Sequence, residues 1–241
     1  MRIVVLFFLF LLTAGWSAGA SPAPPGDGRD FLVPGFERIR VDGPFIVTVA
    51  PGMTARAHAE ARRPTLDRIA IRVLGDTLVI SAGEQGWNNA SAHMTEMPRV
   101  TVAVPRLRAV QVNGGGQVTI RGMAAPRVDL GLNGAGTLAV SGIAAEDVNL
   151  LLMGGGSVTL AGESERARLR ANGTGSVDAA SLLVKDVTIL AETSGEVAAQ
   201  ARYGAQVFAL GAGNVRVTGR AQCSVTGPGP VSCAAGFSPT R

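Results

Sequence analysis

The sequence predicts an all-β fold in which a parallel, β-helix-like solenoid of about seven glycine-turn rungs follows an N-terminal β-sheet portion. Two observations lead to this prediction. Apolar and polar residues alternate through most of the chain after residue 35, as they do in half-buried strands. A unit of two alternating apolar residues, a glycine turn and two more apolar residues recurs every 16 to 20 residues, and such a period is typical of stacked rungs.

The first predicted element is a secretory signal peptide over residues 1–20. Arg2 supplies a positive charge, the run from Ile3 to Leu12 is apolar, and Ala18-Gly19-Ala20 matches a cleavage site. Residues 21–34 are rich in proline and glycine and are predicted to be a linker. The apolar run is too short to remain in a bilayer as a helix. We therefore expect an exported protein, in the periplasm or at the cell surface, without permanent membrane insertion.

Residues 35–107 are predicted to form an N-terminal β-strand portion that caps the solenoid. Alternation between apolar and polar residues begins at Phe36 and indicates two strands up to Val49. The other expected elements are strands at Ile69 to Val73, Leu78 to Ser81 and Val100 to Val104, a helical turn at Arg62 to Asp67, and an exposed loop at Gly83 to Pro98.

The repeats fill residues 108–235, and residues 236–241 are a tail. Side chains alternate between inside and outside along a strand, so equivalent positions of successive copies form columns. Two inner columns stay apolar throughout, and two others change from valine and leucine to alanine, so the core is expected to narrow towards the C-terminus. The seven copies begin at Val110, Leu130, Leu150, Leu169, Ile189, Val207 and Cys223.

The two cysteines predict a disulfide in the last rung. Counted from the turn glycine Gly229, Cys223 falls in the inner column that begins with Val110, and Cys233 falls in the inner column that begins with Ile120. Both thiols would then point into one core layer of a protein exported to an oxidising compartment. A catalytic or metal-binding role would need histidine or acidic partners nearby, and the pattern places none there.

The basic character of the chain, with a net charge of +4 and a pI near 10.0, does not predict nucleic-acid binding. Its positive charges are spread evenly, and the one tight cluster, Arg166, Arg168 and Arg170, lies beside Glu163 and Glu165. We interpret this cluster as a solvated, self-compensated strand face. The glycine turns lack the following helix and the Gly-Lys-Ser or Gly-Lys-Thr ending of a phosphate-binding loop. No cofactor and no metal site are expected.

The sequence favours a non-enzymatic binding or scaffolding module, because it contains no specific catalytic motif. Neighbouring apolar side chains on a flat sheet often mark a contact surface. The outward positions Leu151, Leu190 and Phe208, together with Arg216, are therefore the predicted surface for a cell-surface polymer or a protein partner.

Two alternatives to a binding module remain. One is a glycan-processing enzyme that would use Glu192 and Glu196, which lie on opposite sides of one turn, since glycoside hydrolysis needs paired carboxylates. The other is a folding or assembly factor for β-proteins, because an open edge strand can recruit further strands.

Several patterned segments connect the chain to a known family. They run from Phe36 to Pro51-Gly52, through Leu78-Val79-Ile80, and from Val100-Thr101-Val102 into the first glycine turn at Asn113 to Gly116. With these segments the chain resembles the head GIN domain family, described as auto-transporter adhesins, over about Phe36 to Cys233. The resemblance implies a right-handed β-solenoid on an exported protein, with adhesion as its role. The handedness rule for parallel crossovers gives the same hand.

Overall fold

A computed structural model describes residues 27–52, 54–83, 97–234 and 237–239. This part of the chain is nearly all-β, with 72% of its residues in strands and 2% in helix, and it forms a β-solenoid of about six turns, which confirms the predicted fold class. The predicted signal peptide and most of the loop predicted at Gly83 to Pro98 lie outside the described residues.

The strands are numbered in chain order. They are β1 (Asp27–Phe31), β2 (Arg38–Asp42), β3 (Ile46–Pro51), β4 (Arg56–Ala61), β5 (Ile69–Leu74), β6 (Thr77–Ala82), β7 (Arg99–Val104), β8 (Ala109–Asn113), β9 (Gln117–Ala124), β10 (Arg127–Asn133), β11 (Thr137–Gly154), β12 (Ser157–Gly173), β13 (Ser176–Thr193), β14 (Val197–Ala209), β15 (Val215–Gly219), β16 (Gln222–Thr226), β17 (Val231–Cys233) and β18 (Phe237–Pro239).

Each turn of the solenoid gives one strand to each of two faces. Face 1 stacks β6, β2, β8, β10, the second halves of β11 to β14, then β16 and β18, all parallel. Face 2 stacks β7, β3, β9, the first halves of β11 to β14, then β15 and β17. Glycine turns join face 1 to face 2, and a short bent side leads back from face 2 to the next strand of face 1.

The N-terminal portion continues the solenoid, in an order that differs from the chain order. Strands β2 and β3 pair directly with the first repeat, and β6 and β7 pair on the far side of β2 and β3. Val41 therefore lies in one inner column with Val112 and Ile80. Antiparallel strands follow at this end of the solenoid: β4 pairs with β7, β1 pairs with β4, and β5 pairs with β6.

The expected helical turn is confirmed as α1 (Arg63–Leu66), four residues long, which starts next to Pro64. Its Leu66 is buried against the end of the solenoid core. Among the residues that the structure describes, no helix has the length and apolar character needed to cross a membrane.

The structure differs from the sequence interpretation at both ends of the chain. Part of the predicted linker, residues 27–31, forms β1, which pairs antiparallel with the edge of β4. The Arg29 guanidinium connects this strand to the end of α1. It donates hydrogen bonds to the Leu66 carbonyl at 3.2 Å and to the Asp67 carboxylate at 2.7 Å. In the predicted tail, Phe237–Pro239 pairs with β16. Composition does not reveal such strands, because their main-chain bonds depend on an edge supplied elsewhere in the fold.

The solenoid core consists of the predicted inner columns. Val110, Leu130 and Leu150 head a column whose members are almost wholly buried. The neighbouring column changes from leucine to alanine as predicted, because Leu132 and Leu152 are followed by Ala171, Ala191 and Ala209. The volume of the core side chains therefore falls towards the C-terminus.

One buried polar side chain holds a glycine turn to the rung before it. Thr193 lies in register with Gly173 of the preceding rung and is only 2% exposed. Its hydroxyl donates to the Gly175 carbonyl at 2.7 Å and accepts from the Gly195 amide at 3.0 Å. The first of these bonds is buried and the second partly buried, and together they pair the hydroxyl with two backbone groups of the turns. Thr193 occupies the position that Gly173 holds in the preceding turn, and its hydroxyl stabilises the turn there.

The disulfide between Cys223 and Cys233 is present, which confirms the predicted pairing. Cys233 lies in the expected column, in register with Val217. The predicted column of Cys223 was wrong, however, because it is Val225 that aligns with Val207, and Cys223 aligns with Ala205. The last glycine turn is two residues shorter than the one before it, so counting back from Gly229 shifts the assignment by one inner position.

Removal of this disulfide is expected to weaken the C-terminal rungs. The bond closes a loop with a sequence separation of 10, and in the chain-entropy model a loop of this size contributes roughly 3 kcal/mol. Urea unfolding with and without a thiol reductant should show the loss in the wild type. The Cys223→Ser/Cys233→Ser variant is the control, because its midpoint should not respond to the reductant. Two free thiols in the native protein, detected by mass spectrometry, would contradict the pairing.

Candidate binding surface

Three of the predicted surface residues lie in one outward column of face 1. Strand pairing aligns Leu151 with Arg170, Arg170 with Leu190, and Leu190 with Phe208. Successive strands lie about 4.8 Å apart, so Leu190 and Phe208 are direct neighbours. Leu151 and Phe208 are 45% and 39% exposed, and Leu190 is half-buried.

Two further apolar residues extend this surface. Met153 lies on the same strand as Leu151, and Leu210 directly follows the end of β14, which contains Phe208. Each is one outward position nearer the glycine turns, and they are 46% and 52% exposed. Their outward position follows from the same alternation that placed Leu151. The sequence interpretation nevertheless missed them, because they occur in a column otherwise occupied by polar residues such as Asn133 and Asn172.

The structure does not bring Arg216 together with the other predicted residues. Arg216 lies on β15 and projects from face 2, in register with Ala198. Its guanidinium donates to the Glu196 carboxylate at 3.2 Å. The outward surface of face 2 is separated from the column of Leu190 by the glycine turn. The apolar surface on face 1, defined by Leu151, Met153, Leu190, Phe208 and Leu210, is called the apolar patch below.

A ladder of charges runs along the edge of face 1 next to the short side. Arg127, Asp147, Arg166 and Asp186 lie in one column in this order, so opposite charges are neighbours. Arg166 binds Asp147 with two hydrogen bonds of 2.7 and 3.1 Å. The hydrogen bond from Arg166 lowers the pKa of Asp147. This exposed pair stays charged in neutral solution and contributes little to stability.

The two carboxylates of the enzyme alternative have separate partners. Asn172 donates to Glu192 at 2.7 Å on face 1, whereas Glu196 accepts from Arg216 at the start of face 2. Nothing in this arrangement couples the two acids as a proton donor and a nucleophile. Within the described ranges, no three histidine, cysteine or acidic side chains are grouped so that they could hold a metal ion.

Comparison with known proteins identifies the family of this chain. The family model described as "Putative auto-transporter adhesin, head GIN domain" matches residues 35–221. The chain belongs to this family. The matched region of the head GIN domain extends from the residues before β2 to the residue before β16, so it includes both N-terminal rungs and the whole apolar patch. No curated protein matches the chain.

Solved structures share the fold over most of the chain. A protein of Bacteroides fragilis described as a "putative adhesin" has a TM-score of 0.77 at 20% identity, covering 89% of this chain and 100% of that one. A protein of Parabacteroides distasonis described as a "putative lipid binding protein" has a TM-score of 0.65 at 16% identity, covering 86% and 95%. A "putative adhesin" of the same organism has a TM-score of 0.62 at 16% identity, covering 86% and 96%.

At these identities the likeness shows the fold alone. The head GIN domain family is described as a "putative auto-transporter adhesin" family, and this description indicates a binding module in general. Together with the disulfide, it supports an exported protein that acts as a binding module.

Proposed function

We propose that this head GIN domain protein is a non-enzymatic, exported binding module that presents face 1 to a polymer or a protein of the cell surface. The observation that carries this proposal is the apolar patch. Its members project from rigid, parallel strands, and four of the five are at least 39% exposed. Exposed apolar side chains grouped on a flat surface favour association, because contact removes them from water.

The arrangement also explains how such a surface keeps its shape. Each patch residue alternates with a buried neighbour in the same strand, as Phe208 does with Val207 and Ala209. The inward residues pack the core, so they hold the outward residues in fixed positions. A partner then binds a preorganised surface and orders few side chains on association.

Replacement of the patch residues tests the proposal. The Leu190→Asp/Phe208→Asp variant places two charges in the patch, and we expect binding of the purified protein to the producing cells to weaken roughly tenfold or more, because two anchors of an interface are lost. Binding of fluorescently labelled protein to whole cells and to separated envelope fractions measures this loss. The fractionation also shows whether the protein acts in the periplasm or at the outer surface.

A matched control distinguishes the patch from general surface change. Leu183 and Tyr203 are 49% and 58% exposed on the short side of the solenoid, away from face 1. The Leu183→Asp/Tyr203→Asp variant introduces the same charges there and should bind like the wild type. Circular dichroism confirms that each variant is folded. Unchanged cell binding by the folded patch variant would reject the apolar patch as the contact surface.

A further inference from the structure

Face 1 also contains a groove that adjoins the apolar patch. The groove has a volume of about 570 Å³ and is lined by residues of β6, β2, β8, β10, β11 and β12. Ala109 and Gly131 form its floor, because their outward positions carry little or no side chain. The Gln111 amide folds into the space where a side chain at position 131 would stand. Leu151 belongs to both surfaces, so the groove joins the patch.

Arginines flank the groove at both ends. Arg38 and Arg40 project from β2, and Arg168 and Arg170 project from β12. These strands are four spacings apart along the stack, so the two arginine pairs are separated by roughly 19 Å. Arg127 stands at the side. Among the described lining residues five are arginines and only Asp129 is acidic.

The arginines at the two ends differ in their partners. Arg40 donates to Asp42 at 3.0 Å, and Arg38 is 3.3 Å from Asp76. Arg168 and Arg170 are exposed, and neither has a hydrogen bond or an ion pair with any residue in the described ranges. Their guanidinium groups remain available to an anionic ligand.

The sequence interpretation placed Glu163 and Glu165 beside these two arginines, whereas in the structure Arg168 interacts electrostatically with Asp147, at the edge of face 1. Glu165, their neighbour in sequence, lies on the short side and accepts from Lys185. The hydrogen bond from Lys185 lowers the pKa of Glu165. The chain bends between the short side and face 1, so acids close in sequence lie on a different surface from Arg168 and Arg170.

Polar amides stand between the arginine pairs. Asn149 donates to Asp129 at 3.0 Å, and Arg127 donates to the same carboxylate at 3.1 Å. The groove's one acid is thus neutralised by its neighbours. The Gln111 side chain donates to Asn113 at 3.2 Å and lies over the groove floor. Each amide has further donor and acceptor capacity that hydroxyl groups can use.

We propose that this groove binds an acidic polysaccharide whose chain runs along the solenoid axis. Arg168 and Arg170 bind its carboxylates through paired hydrogen bonds, for which the planar guanidinium is suited. Arg38 and Arg40 attract charges further along the same chain, and Gln111 and Asn149 contact its hydroxyl groups. Among the described residues that line the groove none is aromatic, so they offer no platform for stacked nucleic-acid bases. The inference rests on the proposed function of face 1, and it names the ligand class.

The test uses the mature protein and polygalacturonate as the probe. The Arg168→Gln/Arg170→Gln variant should bind polygalacturonate roughly tenfold or more weakly in affinity electrophoresis or biolayer interferometry, because charge-assisted hydrogen bonds are lost. The matched control is Arg202→Gln/Arg220→Gln, which removes the same charge from exposed arginines on the short side. This control should keep wild-type affinity at physiological salt. The neutral polymer dextran should not bind.

Four results would overturn the inference. They are equal losses in both arginine variants, equal or tighter binding of a single-stranded oligonucleotide, equal or tighter binding of phosphatidylglycerol vesicles, and absence of polygalacturonate binding by the wild type. The proposed function is tested by a separate experiment. If the wild type binds cells and the Leu190→Asp/Phe208→Asp variant does not, face 1 remains the contact face even where polygalacturonate fails to bind.

Discussion

Gly195→Ala is expected to destabilise the protein by about 3 kcal/mol or more, because the added methyl group would collide with the backbone of the preceding glycine turn. The glycine turns stack directly on one another. A Cβ atom at position 195 would overlap the Gly175 carbonyl oxygen and would lie 2.6 Å from the Gly175 carbonyl carbon and 2.8 Å from the Thr174 oxygen. All three are backbone atoms, which cannot move aside without breaking the hydrogen bonds between rungs.

The cause is space rather than backbone conformation, since Gly195 does not have a positive φ angle. Gly115→Ala provides the matched control in another turn of the same type. A Cβ atom at position 115 would meet no atom within 4 Å, and the φ angle there is also not positive. Its effect should stay within about 0.5 kcal/mol. Urea unfolding followed by circular dichroism compares the two variants, and equal midpoints would show that the turns are not packed as described.

Leu152→Ala should destabilise the protein by about 2–5 kcal/mol, because it leaves a cavity in the solenoid core. Leu152 is 0% exposed. Its side chain also reaches beneath the next glycine turn, where a Cβ atom at Gly175 would lie 2.9 Å from the leucine Cδ2 atom. The leucine side chain therefore fills space that is free only because residue 175 is glycine.

The adjacent residue gives a direct comparison. Leu151→Ala removes the same atoms from a side chain that is 45% exposed on face 1. Its effect on the free energy of unfolding should be no more than about 0.5 kcal/mol. Thermal and urea unfolding of both variants measure the difference. Similar destabilisation by the two substitutions would mean that the inward and outward positions have been exchanged, which a one-residue shift of strand register would produce.

The repeat pattern was sufficient to predict the solenoid and the direction in which its core narrows. An inward residue such as Leu152 recurs at a nearly constant distance from its turn, and its neighbour Leu151 points outward because strand side chains alternate. Both facts are local. The same alternation identified Leu151, Leu190 and Phe208 as outward residues before any contact was known.

Other features depend on which strands pair, and no periodicity encodes that choice. The rung formed by β6 and β7 lies outside the rung formed by β2 and β3, although it comes later in the chain. The inner column predicted for Cys223 was wrong because the last glycine turn is shorter than the others, and the sequence pattern does not reveal how this changes the register of the strand before it.

The outward surfaces also combine features that the sequence predicts with features that only strand pairing determines. Alternation predicts that Arg168 and Arg170 point outward, but only the stacking of β2 and β12 on one face brings them to the same groove as Arg38 and Arg40. Arg216 has the same outward pattern, yet the glycine turn places it on face 2, beside Glu196. Inward and outward positions follow from local geometry along one strand. Neighbours across the faces are decided by hydrogen bonds between strands that are distant in sequence, so they exist only in the folded solenoid.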